Sequence, residues 1–403
     1  MQETVKQQLG GWGEAVELLC RWESGVAHMD DLLEKAELQG SRWLVMETFR
    51  QWLVIERILA PRLRKLPRPQ ALQILRLAVA ECLQREPETH PRIVHHAVEV
   101  ARQLGLSRPE TGFLNAVLRG ILRDGAGWGT VSLEATHPEW LVKRWSNQFG
   151  PEGVQGLLAW NQAVPDISLR APACPEYAEA TVWPGYFRIK SGRFKEALPD
   201  LRAGRAYVQD PFTRIPVELL APQPGERVLD LCAAPGGKTR LLAEVMQGKG
   251  ILVAVDRPGA RLKRLVENAQ RMPTELVRVL GCALEELDKD RLSPFIPDGL
   301  ADAALIDVPC SNTGVIQKRP DVKIRLGEGD IARLALVQGS LLAAAARWVR
   351  PGGRLVYSTC SLEAEENDQV VAAFLAKHDD WQLETRLISL PWECGHDGGG
   401  AFL

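Results

Sequence analysis

From Ala206 onward, short apolar runs alternate with longer stretches of helical periodicity, and this alternation restricts the fold more than any other feature of the chain. Arg227–Leu231, Ile251–Asp256, Leu276–Leu280, Ala304–Asp307 and Arg354–Thr359 are the strand-like runs. Gly237–Met246, Arg261–Arg271, Ile331–Trp348 and Ala364–Lys377 are the helix-like stretches between and after them. Such alternation predicts a parallel sheet wrapped by helices on both faces. Ligands of open α/β sheets bind beyond the carboxyl ends of the strands, so the loops after these runs are the places to look for chemistry.

The first part of the chain has a different texture. Between about Val5 and Arg123, Leu and Val recur at three- and four-residue spacing in Trp43–Leu59, Ala71–Leu83 and Ile93–Leu104, punctuated by Pro61, Pro67, Pro69 and Pro91. This pattern predicts a helical bundle of roughly 120 residues. Gly125–Gly129 is glycine-rich and suggests a linker. From Leu133 to Gly204 the pattern is mixed, with two short helices expected in His137–Trp160 and short strands at Ile167–Arg170 and Tyr186–Lys190.

Composition excludes several classes. The formal net charge is -2, so any nucleic-acid contact must use local basic patches. The eight cysteines form no CxxC pair and no zinc-spaced Cys/His cluster, so reduced thiols and no metal site are expected. Met1–Gly10 lacks the apolar core of a signal peptide, and the run Leu341–Val349 is too short to cross a bilayer. A cytoplasmic location without membrane attachment follows as the expectation.

Val228-Leu-Asp-Leu-Cys-Ala-Ala-Pro-Gly-Gly-Lys-Thr239 is a strand running into a glycine-rich turn and then a helix. Gly236 and Gly237 allow the backbone close to a bound molecule. A phosphate-binding P-loop would need glycine where Cys232 stands, so that assignment fails. Asp256 closes the next strand about 20 residues later, where an acid accepts hydrogen bonds from a ribose diol. NAD and S-adenosylmethionine share this geometry, and a helix-cap role for Asp256 is the structural alternative. Two further loops carry cysteines at strand ends: Val308-Pro-Cys-Ser-Asn-Thr-Gly314 after Ala304–Asp307, and Cys360-Ser-Leu-Glu363 after Leu355–Thr359.

Taken together, Asp230–Thr239, Asp307–Val315, Tyr357–Ser361 and Glu365-Glu-Asn367 resemble, in order and spacing, the motifs of the Sun/Fmu family of RNA cytosine-5 methyltransferases. Pro91–Val98 and Phe113–Arg119 resemble the NusB-type RNA-binding domain of its bacterial ribosomal members, and His137–Leu141 and Tyr207–Asp210 extend the likeness. The resemblance implies an α/β fold: a Rossmann-like S-adenosylmethionine (SAM)-dependent methyltransferase domain over 205–403, preceded by an all-α NusB-like domain over 1–127 and a small α+β connector over 131–204. It implies SAM as cofactor, held by Cys232, Ala233, Ala234, Pro235, Gly236, Gly237, Lys238, Asp256, Cys282 and Asp307. It implies small-subunit ribosomal RNA as partner and a monomeric protein. Carbon 5 of cytosine is a weak nucleophile, and a thiolate adding to carbon 6 activates it. The resemblance assigns that thiolate to Cys360, product release to Cys310, and a place near cofactor and target base to Asp307. DNA cytosine-5 enzymes use the Pro-Cys cysteine, here Cys310, and the residues alone do not order the pair. A free thiol is mostly protonated at neutral pH, so the glycine-loop helix or Lys238 is expected to assist it.

The chain departs from the family at several points. Cys282 stands where relatives often carry an aspartate, with Glu285 or Glu286 as substitutes; Phe212 stands where small residues are common; Arg319 and Ile324 replace His and Trp. Leu403 falls inside the last strand, so that edge is expected to be frayed or truncated. Between Arg42 and Arg76 lie eight basic residues (Arg42, Arg50, Arg57, Arg62, Arg64, Lys65, Arg68 and Arg76) opposed by Glu47 and Glu56. That excess suits a phosphate backbone, with Arg62–Lys65 as its centre and Lys318, Arg319 and Lys323 as a second group. Trp43, Trp52, His95 and His96 are expected to be structural.

Overall fold

A computed structural model describes residues 11–26, 29–34, 36–125, 131–272 and 275–403. The expected linker beyond Gly125 lies outside them. Two compact units emerge: Met1–Gln162 with Arg319–Arg325, and Ala163–Lys318 with Leu326–Leu403. The stretch 131–204 is divided between them at Gln162.

The first unit is helical throughout its described residues. Its helices bury Leu, Ile, Val and Ala at i, i+3 and i+4 positions, with Phe49 and Ile55 at its centre. The helix Arg108–Asp124 starts at a capping box, in which Ser107 N donates to Glu110 at 2.8 Å, and ends at Gly125 in the left-handed region. The expected pair of helices after His137 is found within Glu139–Gln162, the two parted by a kink at Gly150 (φ 73°), immediately before Pro151. Trp52 is buried beneath the Arg76 guanidinium at 4.2 Å, whereas Trp43 is partly exposed. His96 meets Trp12 edge-on at 5.2 Å.

Two of the eight basic residues expected to face RNA are internal. Arg50 is 3% exposed and pairs with Glu47; Arg76 is 5% exposed and binds Glu56 at 2.7 Å and Glu23 at 2.9 Å. A guanidinium desolvated this far persists only with such partners. Lys323 is internal too: it is 1% exposed, and its Nζ donates to Arg50 O at 2.8 Å. Burial pushes its ammonium down to about 7. Within the same unit Ile324 packs on the apolar core and Arg319 pairs with Asp30 at 2.8 Å, which accounts for both departures from the family pattern.

The second unit opens with a small antiparallel sheet of β1 (Ser168–Arg170), β2 (Ala178–Ala180), β3 (Tyr186–Ile189) and β4 (Tyr207–Val208), in the order β2-β3-β1-β4. A seven-stranded sheet follows, built from β5 (Arg227–Leu231), β6 (Ile251–Asp256), β7 (Val277–Gly281), β8 (Ala301–Asp307), β9 (Val349–Thr359), β10 (Arg386–Ser389) and β11 (Gly399–Phe402). Its order is β10-β11-β9-β8-β5-β6-β7, parallel from β9 through β7. From β5 the chain winds first toward β7, then returns to the other side of β5 as β8 and β9, so the topological switch lies between β5 and β8. Strand β11, expected as a frayed edge, is instead an interior strand, antiparallel to both β9 and β10, with Ala401 and Phe402 buried. The outer position falls to β10.

Phe212 and Gly399 explain each other. A Cβ on Gly399 would lie 2.2 Å from Thr359 O and 2.5 Å from the Phe212 ring. Backbone proximity excludes a side chain at 399, and the ring fills the space left beside it. No helix among the described residues is long and apolar enough to cross a membrane.

Candidate active site

The loops after β5, β8 and β9 all lie at the carboxyl ends of neighbouring parallel strands. The glycine loop leaves β5 through Cys232, a non-glycine residue at φ 60°, and turns at Gly236 (φ 103°) into the helix Gly237–Val245. At this φ only glycine is unstrained, and a Cβ on Gly236 would also meet the Leu265 side chain at 2.9 Å. The loop is held on its outer side: Ala234 O accepts from Arg261 at 2.5 Å and Pro235 O from Asn268 at 2.8 Å. Asp256 holds it from β6, accepting from Ala234 N at 2.8 Å and from Arg257 N at 2.7 Å. Each of those carboxylate oxygens keeps a further lone pair for a ligand hydroxyl.

Beneath the loop, Asp230 is 0% exposed. Its Oδ2 accepts from Thr239 at 2.5 Å, while its Oδ1 has no hydrogen-bond partner. Burial, with Asp307 and Asp256 nearby, pushes this carboxyl up to about 7. Asp307, at the end of β8, is fixed by Lys238 Nζ at 2.8 Å and Ser358 Oγ at 2.7 Å. Burial works against the charge on Lys238, but Asp307 outweighs it and holds the ammonium above its ordinary range.

The two strand-end cysteines converge. Cys310 Sγ and Cys360 Sγ are 3.1 Å apart, and Cys360 Sγ is 3.2 Å from Asn312 Oδ1. Cys310 is buried, whereas Cys360 is half-buried. The hydrogen bond to Cys360, then burial, drives the Cys310 thiol well above the ordinary thiol range. The loops are pinned by Gly314 N donating to Cys360 O at 3.0 Å and Gly398 N donating to Gly314 O at 2.9 Å. Asn367 bridges Thr359 Oγ1 at 2.7 Å and Ser361 O at 2.8 Å.

Thus Asp256, Asp307, Lys238, Cys310, Cys360 and the loop 232–237 lie along one rim. Cys282 lies apart, 2% exposed in the apolar core beneath β7, and Glu285 pairs with Arg257 at 2.8 Å. Of the second basic group, Lys318 binds Asp397 at 2.9 Å and also Asp210. The buried Asp230 and the inter-loop acid Glu366 are site-supporting residues that motif reading left without a role. A groove of about 920 Å³ between the small sheet and the helix Gly237–Val245 includes Arg170, Tyr207 and Arg240 but neither cysteine of this site.

The acceptor set suits SAM. Two carboxylates, Asp256 and Asp307, flank one lysine around a glycine turn and offer acceptors to a ligand that carries hydroxyls, an ammonium and a sulfonium. Among the described residues no group of acids, histidines and cysteines could hold a metal ion.

Comparison with known proteins agrees with this geometry. The profile of the 16S rRNA methyltransferase RsmB/F family matches residues 217–395, and that of the NusB family residues 15–123. A Bacillus subtilis (strain 168) protein named "Probable ribosomal RNA small subunit methyltransferase B" is 30% identical over 93% of this chain and 90% of its own length. The "Ribosomal RNA small subunit methyltransferase B" of Enterobacter sp. (strain 638) is 35% identical over 73% of each chain. The crystal structure of PH0851 shares the fold, with a TM-score of 0.80 at 24% identity over 97% of this chain and 98% of that one. The sequence profiles, a near-full-length relative and a methyltransferase sheet with its glycine loop agree: this chain belongs to the RsmB/F family of SAM-dependent 16S ribosomal RNA methyltransferases.

Proposed function

We propose that the protein methylates carbon 5 of a cytosine in small-subunit ribosomal RNA, with Cys360 as covalent nucleophile. The observation that carries this reading is the pair of sulfurs 3.1 Å apart at the ends of adjacent strands, beside the Lys238–Asp307 pair. One sulfur suffices to attack a ring; a second in contact with it suits a reaction in which the first must also be expelled.

SAM, when bound by loop 232–238, Asp256 and Asp307, supplies an electrophilic methyl group. Cys360, the less buried thiol, adds to carbon 6 of the base once its proton is lost. Negative charge at 360 is, after Asp307, among the influences that hold the Lys238 ammonium above its ordinary range. Asp307, held in place by Lys238 and Ser358, accepts hydrogen bonds from the base or the cofactor. Cys310 stays protonated, and its S–H donates to the Cys360 sulfur as that sulfur leaves carbon 6 and the carbon 5 proton passes to solvent. Its burial and raised thiol make Cys310 the poorer attacking group, which favours Cys360 over the reverse order.

The target base must leave its stack to reach the thiol, so an unpaired nucleotide is the easier substrate. The NusB-like part of the helical unit, over 1–127, supplies the RNA grip. Arg57, Arg64 and Lys65 are exposed and make no ion pair among the described residues, which leaves them available to phosphates.

Single substitutions test the assignment. With 16S RNA and SAM, Cys360→Ala abolishes methylation and forms no adduct, whereas Cys310→Ala accumulates an RNA–protein adduct stable on denaturing gels. The opposite pattern would exchange the two roles, and absence of an adduct from both variants would end the covalent reading. Bisulfite mapping in cells with and without the gene identifies the nucleotide.

A further inference from the structure

Glu366 lies outside the rim described above, yet it is 0% exposed and its carboxylate accepts four hydrogen bonds. Oε1 accepts from Ser311 N at 2.8 Å and from Gln338 Nε2 at 2.8 Å. Oε2 accepts from Ser361 Oγ at 2.5 Å and from Ser311 Oγ. Ser311 directly follows Cys310, and Ser361 directly follows Cys360. One side chain therefore grips the residue after each cysteine. The grip is itself braced: Tyr357 Oη donates to Glu366 O at 2.6 Å, and Gln338 Nε2 also donates to Pro309 O at 2.9 Å. Ser311 and Ser361 hydroxyls lie 3.1 Å apart across the seam.

A buried carboxylate is costly unless every lone pair is used, and here the donors come from two different loops and a helix. We propose that Glu366 is a positioning residue that sets the separation of the Cys310 and Cys360 sulfurs and so the working geometry of the thiol pair. This rests on the reading above that the two cysteines act together. Glutamine at 366 can keep most of the clamp: its oxygen takes the Ser311 N–H and the Gln338 amide, and the two serine hydroxyls rotate to accept from its NH2. Alanine removes all four acceptor contacts and frees one loop from the other.

The test uses the full-length protein without RNA or SAM, so that it is independent of the methylation chemistry. Diamide, an azo oxidant, converts two thiols to a disulfide while it is reduced to the hydrazine, and the rate of the Cys310–Cys360 cross-link reports how often the sulfurs meet. Peptide mapping by mass spectrometry reads it. Glu366→Ala is expected to slow the cross-link by about tenfold or more, and to lower kcat with little change in KM for SAM, since a misplacement near 1 Å costs up to about 100-fold. Glu366→Gln restores both to within about threefold of the unsubstituted protein. Ser361→Ala, which removes one hydroxyl, gives an intermediate rate and decides the matter if Glu366→Ala does not fold. Cross-linking of the folded variants at the original rate would overturn the proposal. Normal cross-linking of the unsubstituted protein with no RNA adduct in Cys310→Ala would instead count against the cytosine chemistry.

Discussion

Replacing Asp230 by Asn is expected to stabilise the ligand-free protein, by an amount that grows as pH rises above ~4 and is complete above about 7. Asp230 is fully buried, one oxygen is unpartnered, and burial pushes its carboxyl up to about 7. An unfolded aspartate titrates near ~3.9. Between these values the folded protein keeps a proton that the unfolded chain has released. The stabilising contribution of the neutral carboxyl is therefore complete below ~pH 4 and is lost as pH rises through about 7. The interval of roughly 3 units corresponds to ~4 kcal/mol. That is an upper bound, because a buried site relaxes when it ionises, and about 1–3 kcal/mol is the expected gain for Asp230→Asn near pH 8. Near pH 4 the two proteins should agree to within ~0.5 kcal/mol, since the amide oxygen still accepts from Thr239. Urea denaturation followed by tryptophan fluorescence at the two pH values measures the difference. A gain independent of pH, or a loss that deepens on the alkaline side, would refute the linkage.

Gly314→Ala places a Cβ 2.2 Å from Gly398 O and 2.9 Å from Cys360 O, both backbone atoms that cannot rotate away. It should cost about 1–3 kcal/mol and alter the rate of Cys360 alkylation, read by thermal melting and iodoacetamide labelling. Lys323→Met should stabilise the helical unit more on the acid side. The folded lysine is lowered to about 7, so the stability it permits is present above ~pH 10.5 and is lost as pH falls through about 7; melts near pH 6 and near pH 9 test the sign. Arg64→Ala with Lys65→Ala removes up to two phosphate contacts without touching the core. The slope of log K against log salt for single-stranded RNA should fall by about 1 to 1.4, and an unchanged slope removes these residues from the interface.

Much of the sheet and the rim was readable from sequence because local pattern and tertiary role coincide there. Strands β5 and β6 match the apolar runs that predict them, and glycine, acid and cysteine occur where a doubly wound sheet places its ligands. What escaped reading depends on contacts between distant segments. Nothing in Arg50 or Arg76 distinguishes them from solvated arginines until Glu47, Glu56 and Glu23 close around them. Glu366 looks like an ordinary acid before a helix; only the meeting of Ser311 and Ser361 makes it internal. The burial of Cys282 follows from its packing in the apolar core and the interior place of β11 from strand order, neither of which periodicity encodes.

Strands β8 and β9 are paired in parallel with Asp307 opposite Ser358, and each cysteine follows that rung within three residues. The ladder meters chain length on both sides. One residue added to or removed from either loop would carry its sulfur by up to ~3.8 Å, more than the present gap between the two, and neighbouring strands could not shift to compensate without turning every side chain to the opposite face. Identities in these loops can therefore drift one at a time, while their lengths cannot, and homologues of this enzyme should show gaps anywhere sooner than between the end of β8 and Cys310 or the end of β9 and Cys360.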